Sequence, residues 1–198
     1  MKLFRSMLLR FLFTLIGLAP LFSQAETSSD IEYFALMGFV SGSFTGAEDG
    51  SFTSFASFEG GGELHKGSDR SVFVRASISM DPTEGKVKYF YGGFGQKFYL
   101  WGPGLKSSDV TEGDVISVIP QSRYFVNWDL GMAEVRVRDV TSSLSVQSTI
   151  IDFGGGFGYI KQQGDLGIQA YIGMTKGISI SSVAVDSTIL RLMFGVTY

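Results

Sequence analysis

Apolar and polar positions alternate with a period of two along most of the chain. In residues 71–80, Val72, Val74, Ala76, Ile78 and Met80 share one side, and Phe73, Arg75, Ser77 and Ser79 share the other. That is the pattern of a half-apolar strand of about ten residues. The same alternation sets Leu166, Ile168, Ala170, Ile172 and Met174 against Gly167, Gln169, Tyr171, Gly173 and Thr175. It sets Ile151, Phe153, Phe157 and Tyr159 against Asp152, Gly154, Gly156 and Gly158. From 124 to 132, Tyr124, Val126, Trp128, Leu130 and Met132 oppose Phe125, Asn127, Asp129 and Gly131. Glu134, Arg136 and Arg138 come next, so this strand is expected to leave the apolar layer there.

Three further segments fit the pattern less cleanly. Residues 52–64 place Ala56, Phe58 and Leu64 against Ser57, Glu59 and Glu63. Residues 86–100 place Phe90, Phe94, Phe98 and Leu100 against Tyr89, Tyr91 and Lys97, with Gln96 on the greasy side. Residues 31–44 are apolar on both faces, so alternation does not assign their inward side. The segment 186–198 brings the count to eight; in it Leu190, Leu192, Phe194, Val196 and Tyr198 oppose Arg191, Met193, Gly195 and Thr197. Polar, glycine-containing stretches at 65–69 and 162–165 read as tight turns, and 46–51, 81–85, 139–145 and 176–185 form a second set of connections. Only 102–121 is long. It holds Pro103, Pro120 and an apolar patch from Val115 to Ile119, and is read as a flap or a short extra strand.

The first 25 residues differ from the rest. Lys2, Arg5 and Arg10 precede and flank an apolar run that Pro20 interrupts, and Ser23, Gln24 and Ala25 form a small-residue site. This reads as a secretory signal peptide cleaved after Ala25, since the run falls short of the roughly 20 residues a spanning helix needs. Residues 26–198 are then one all-β domain, carrying every glycine of the 26 except Gly17. Three of the 16 basic residues leave with the leader and none of the 19 acidic ones do, so the mature domain is more acidic than the whole chain's net −3. Nucleic acid, which calls for a basic stripe, is not an expected partner. The chain has no cysteine, hence no disulfide, thiolate metal site, thiol nucleophile or lipoprotein anchor.

What lies opposite the greasy stripes decides between two kinds of barrel. Glu59, Glu63, Arg75, Lys97, Asp129, Asp152 and Arg191 are spread thinly among Gly, Ser and Tyr. A soluble protein's water face would carry more charge and fewer glycines. Four acids and three bases suit the narrow lumen of an eight-stranded barrel, where charges pair and glycine makes room for them. The apolar stripes then face lipid, and closure pairs every backbone group. The reading is an eight-stranded antiparallel up-and-down transmembrane β-barrel. Its alternative is a soluble exported barrel that holds an apolar ligand inside, as lipocalins do.

The last strand carries a resemblance. Phe194, Gly195, Val196 and the terminal Tyr198 resemble the closing strand of bacterial outer-membrane barrels of the small eight-stranded type, OmpA- or OmpX-like. The resemblance implies export by the Sec route into a Gram-negative envelope and a place in the outer membrane among its lipids. It also implies recognition of the terminal aromatic by the barrel-insertion machinery. The sequence leaves the oligomeric state open, with a monomer favoured. An even strand number puts both termini in the periplasm. Eight strands enclose a lumen that side chains fill, so a wide pore is not expected. What remains is a structural, anchoring or partner-binding role.

Some barrels of this size modify lipids, and need a histidine near the outer leaflet. The single histidine, His65, falls in a turn on the periplasmic side and is read as solvated there. Glu59 and Glu63, four residues apart on a strand, are separated by roughly 13 Å, too far to share one glycosidic bond. A salt-bridge role with Arg75 or Arg191 fits them better. The glycines at 154–158 lack the helix a nucleotide-binding turn requires. No catalytic residue, cofactor or metal is expected.

Overall fold

The computed structural model describes residues 31–46, 50–66, 69–80, 87–101, 107–111, 114–118, 122–138, 145–163, 166–181 and 185–198. The leader with its cleavage site, the 81–85 turn and the middles of most other turns lie outside the described residues. The strands in chain order are β1 (Ile31–Gly46), β2 (Gly50–His65), β3 (Arg70–Met80), β4 (Val87–Trp101), β5 (Ser107–Thr111), β6 (Asp114–Val118), β7 (Arg123–Arg138), β8 (Ser145–Gln163), β9 (Leu166–Ser179) and β10 (Val185–Thr197). Eight of them close into one antiparallel barrel in the order β1-β10-β9-β8-β7-β4-β3-β2, and β5 pairs only with β6. None of the described strands contains a proline, which would remove a ladder donor.

Chain neighbours are sheet neighbours throughout, except where the β5–β6 hairpin intervenes between β4 and β7. The long connection is therefore a two-stranded hairpin. It leaves the barrel at the end that carries His65, Gln163 and both ends of the barrel chain. The seam is made by β1 and β10, in register from Phe34↔Thr197 to Gly46↔Val185. It is continued by backbone bonds from Tyr33 N to Tyr198 O (2.8 Å) and from Tyr198 N to Tyr33 O (2.9 Å).

The facing of the strands is inverted relative to a soluble barrel. On β10, Leu192 and Phe194 are 40% and 53% exposed, while Met193 between them is wholly buried and Arg191 is 3% exposed. Phe153, Met174, Phe94 and Trp128 likewise point outward. A ligand-carrying soluble barrel needs these faces reversed. Gln96 does sit on the outer wall of β4, half-buried beside Trp128. β7 continues as a strand to Arg138, and its outer face turns polar at Glu134 and Arg136. For β1 the structure gives the side that alternation left open: Phe34, Leu36 and Val40 point inward, Met37 outward.

Glycine makes room inside the wall for a charged group, as at Gly177 where a Cβ would meet Asp152 Oδ1, and more often for aromatic rings. Phe34, Phe73 and Phe125 lie against Gly61, Gly95 and Gly158, each the directly registered residue on the neighbouring strand. Tyr91 lies over Gly93 and Gly131, and Tyr171 over Gly156 and Gly173. A methyl group at any of these glycines would overlap the ring. Flat rings on glycine let a narrow barrel hold aromatics and charges together.

Candidate functional site: the charged lumen

The seven lumen-facing charges fall into separate clusters. Arg75 on β3 donates from Nη1 to Glu59 Oε2 (2.5 Å) and from Nη2 to Asp129 Oδ2 (2.7 Å). Arg191 on β10 lies 3.5 Å from the same Glu59 oxygen and 3.3 Å from the same Asp129 oxygen. Two cations and two carboxylates from four strands thus form a closed, neutral quartet, none of the four more than 6% exposed. Tyr91 backs it, with its ring 4.3 Å from the Arg75 guanidinium carbon. Asp152 stands apart from this quartet. It accepts from the Tyr89 hydroxyl (2.5 Å) and the Ser187 hydroxyl (3.2 Å).

Nearer the end with the termini, Lys97 Nζ bonds Glu63, which also accepts from Ser71 and Tyr99. Glu59 and Glu63 therefore serve different clusters. Glu32, Arg123 and His65 join here, and none of the three was singled out from sequence for this place. Arg123 Nη2 lies 2.5 Å from both oxygens of Glu32, spanning the lumen from β7 to β1. His65 corrects the solvated-turn reading. Its ring is almost fully buried, with Nε2 2.9 Å from Glu32 Oε2 and 3.8 Å from Glu63 Oε1, and it stacks on Tyr99. β2 runs through His65, and the strand's pleat turns the ring inward. Arg123 sits just before the 124–132 window in which alternation is visible, and Glu32 lies within 31–44, where alternation assigns no inward side.

Between the two charged layers lies an aromatic floor. Lys97 Nζ is 5.0, 5.6 and 4.8 Å from the ring centres of Phe34, Phe73 and Phe125, and Phe125 stacks on Tyr171. The void among these side chains is about 10 Å³. That is at the limit for one water molecule. Among the described residues, side chains fill this part of the lumen.

Glu32, Glu63 and His65 could offer ligand atoms within 4.8 Å of one another to a metal ion. Arg123 and Lys97 already balance both carboxylates, so a divalent ion would add two uncompensated charges to a buried neutral set. His65 Nε2 is engaged by Glu32, with no serine hydroxyl among its described contacts to activate.

No protein-family model matches the sequence, and no curated protein matches it. Among solved structures the fold is similar to Neisserial surface protein A, with a TM-score of 0.54 at 14% identity over 84% of this chain and 95% of that one. Also matched are Ail, the attachment invasion locus protein of Yersinia pestis (0.48, 13% identity, 84% and 98%), and the N-terminal β-barrel domain of Pseudomonas aeruginosa OprF (0.47, 10%, 86% and 98%). The chain has the fold of the small eight-stranded outer-membrane barrels.

Proposed function

We propose that this chain is an integral β-barrel of a bacterial outer membrane, closed to solutes, with a structural or anchoring role. The observation that carries the reading is the inverted wall: large apolar side chains outside, a buried ionic quartet inside, and no open edge in the barrel. In water such an exterior would drive aggregation, whereas in hydrocarbon it is the matched surface. Tyr33, Tyr198, Tyr124 and Tyr159 contact one another in pairs on the outer wall near the end with the termini, where an interfacial aromatic girdle would lie. This end faces the periplasm in the proposed orientation, and one chain closes the ladder without a second copy.

Partner binding is a second reading, favoured by one feature. The β5–β6 hairpin gives the proposed periplasmic end the longest connection, whereas those at the other end, 47–49, 81–86, 139–144 and 180–184, are short. A non-enzymatic role is supported by His65 lying buried at the end away from those connections. Fractionation tests the membrane assignment. The mature chain is expected to stay with carbonate-washed outer membranes and to run as a compact band until boiled. Release into the wash would overturn it.

A further inference from the structure

Gln96 breaks the apolar outer wall well inside its height. It faces outward on β4 between Phe94 and Phe98, with Leu100 beyond, and all three of these are apolar and exposed. Register sets Val72 of β3 on one side of it and Trp128 of β7 on the other. Leu64 of β2 and Gly155 of β8 extend the same row. Gln96 is only half-buried, and its carboxamide makes no hydrogen bond among the described residues. From Gln96 to the still apolar Leu100 is roughly 13 Å along a tilted strand. The carboxamide therefore lies deeper than the polar groups of a lipid, which stay outside the hydrocarbon.

A carboxamide carries two N–H donors and a carbonyl acceptor, and in hydrocarbon each is costly to leave unmade. The neighbouring Trp128 has an indole N–H, which is a donor only, so it offers the Gln96 amide nothing to donate to. Val72, Phe94 and Phe98 offer no polar side-chain atom at all. What the group lacks is a donor and an acceptor together, held at its own depth. Two copies of the chain inserted in the same direction meet that need by symmetry. A twofold axis along the membrane normal sets Gln96 opposite Gln96, and a carboxamide is complementary to itself. We infer that the wall around Gln96, on β3, β4 and β7, docks a second copy of this chain through paired Gln96 carboxamides. The inference rests on the membrane-embedded reading above and leaves each barrel closed by its own seam. Phe94, Phe98, Val126 and Trp128 surround the paired amides with apolar contact.

The test is sedimentation equilibrium of the refolded barrel in density-matched detergent micelles. It is repeated in phosphatidylcholine bilayers as energy transfer between chains labelled at Leu192→Cys, a single label site because the chain has no cysteine. Leu192 lies on β10, four strands from β4 and so on the far wall. The native chain is expected to form a reversible dimer. Gln96→Leu keeps the bulk of the side chain and removes its polar group. It should weaken dimerisation at least about threefold, the scale of one side-chain hydrogen bond inside a membrane. Gln96→Asn keeps a carboxamide and should dimerise more tightly than Gln96→Leu. Phe153→Leu, at an exposed ring on the outer face of β8, should leave the dimer unchanged. Each variant's heat-dependent gel shift reports folding.

A native chain that stays monomeric at every concentration would overturn the inference, and so would a dimer that Gln96→Leu leaves at full strength. If Gln96→Leu lowers the urea midpoint while association is unchanged, the amide serves Trp128 within one wall and the docking face is refuted. A benzophenone side chain in place of Phe98, irradiated in cells, is expected to link the chain to itself. Linkage only to a different protein would assign the face to that protein instead. Flotation with the same bilayers separates these results from failure of the membrane reading. A chain that floats but does not pair overturns only the docking face, and one that does not float overturns the barrel's place in the membrane.

Discussion

Glu59 and Asp129 each face the same two guanidinium groups, so no member of the quartet can lose its charge without leaving a buried imbalance. Glu59→Gln keeps the side chain's shape and removes one negative charge, so Arg75 and Arg191 must share Asp129. The expected cost is about 3–5 kcal/mol, read as a lower urea midpoint of the refolded barrel. Adding Arg191→Met to Glu59→Gln should recover part of the loss, since one cation then faces one carboxylate. A different argument applies to Gly158, whose missing side chain is the seat of the Phe125 ring. Gly158→Ala should cost about 1–3 kcal/mol through overpacking, and Phe125→Leu should offset some of that in the double variant, read by the same melt. If the two substitutions simply add, the ring is not seated on the glycine. Legibility differs between these two sites. The charges of the quartet stand out in a sequence because they interrupt an otherwise small and aromatic face, whereas the pairing of Phe125 with Gly158 depends on strand register.

At the scale of the strand, alternation carries the facing wherever one side is apolar and the other small or polar. β3, β7, β8, β9 and β10 are readable for that reason. β1 is not, because its part of the lumen is itself apolar. Phe34, Leu36 and Val40 there join the buried set that includes Met193 and Ile189, so both faces look alike. Strand ends are a second blind spot. His65 and Arg123, which with Glu32 tie β1, β2 and β7 together near the seam, sit at the last turn of a pleat, where no period is left to read. β10 is the strand whose end is a chemical signal in the proposed function. Tyr198 closes the seam through its backbone and sets its ring 5.8 Å from that of Tyr33, tilted against it. Deleting Tyr198 should cost at most a few kcal/mol in refolding into detergent, the scale of one exposed ring and two edge bonds. If the residue is also read by insertion machinery, the outer-membrane level in cells should fall much further than the folded fraction in vitro. Equal losses would leave Tyr198 a purely structural residue.

For the molecule as a whole, the question is what kind of object eight such strands make. Closure at this strand number leaves a lumen the width of side chains, and here three layers fill it beside the group at Asp152. An ionic quartet and an aromatic floor lie over a second cluster built on Glu32 and Glu63. The layers are unequal barriers to an ion. Charged groups that already pair can exchange partners with a passing ion, but rings seated on glycine offer no charge to exchange. The floor of Phe34, Phe73 and Phe125 should therefore be the tighter seal. In planar bilayers the native barrel is expected to give no steady current. The combined Phe34→Ala, Phe73→Ala and Phe125→Ala chain should conduct, provided its heat-dependent gel shift shows a closed ladder, because removing three rings empties the layer with no mobile partner to refill it. A folded triple variant that stays silent would move the seal to the ionic layers, and there Glu59→Gln with Arg191→Met would be the variant that opens. A steady current through the native chain would contradict the plugged lumen itself and with it the anchoring role, since a barrel that conducts is selected for what passes through it.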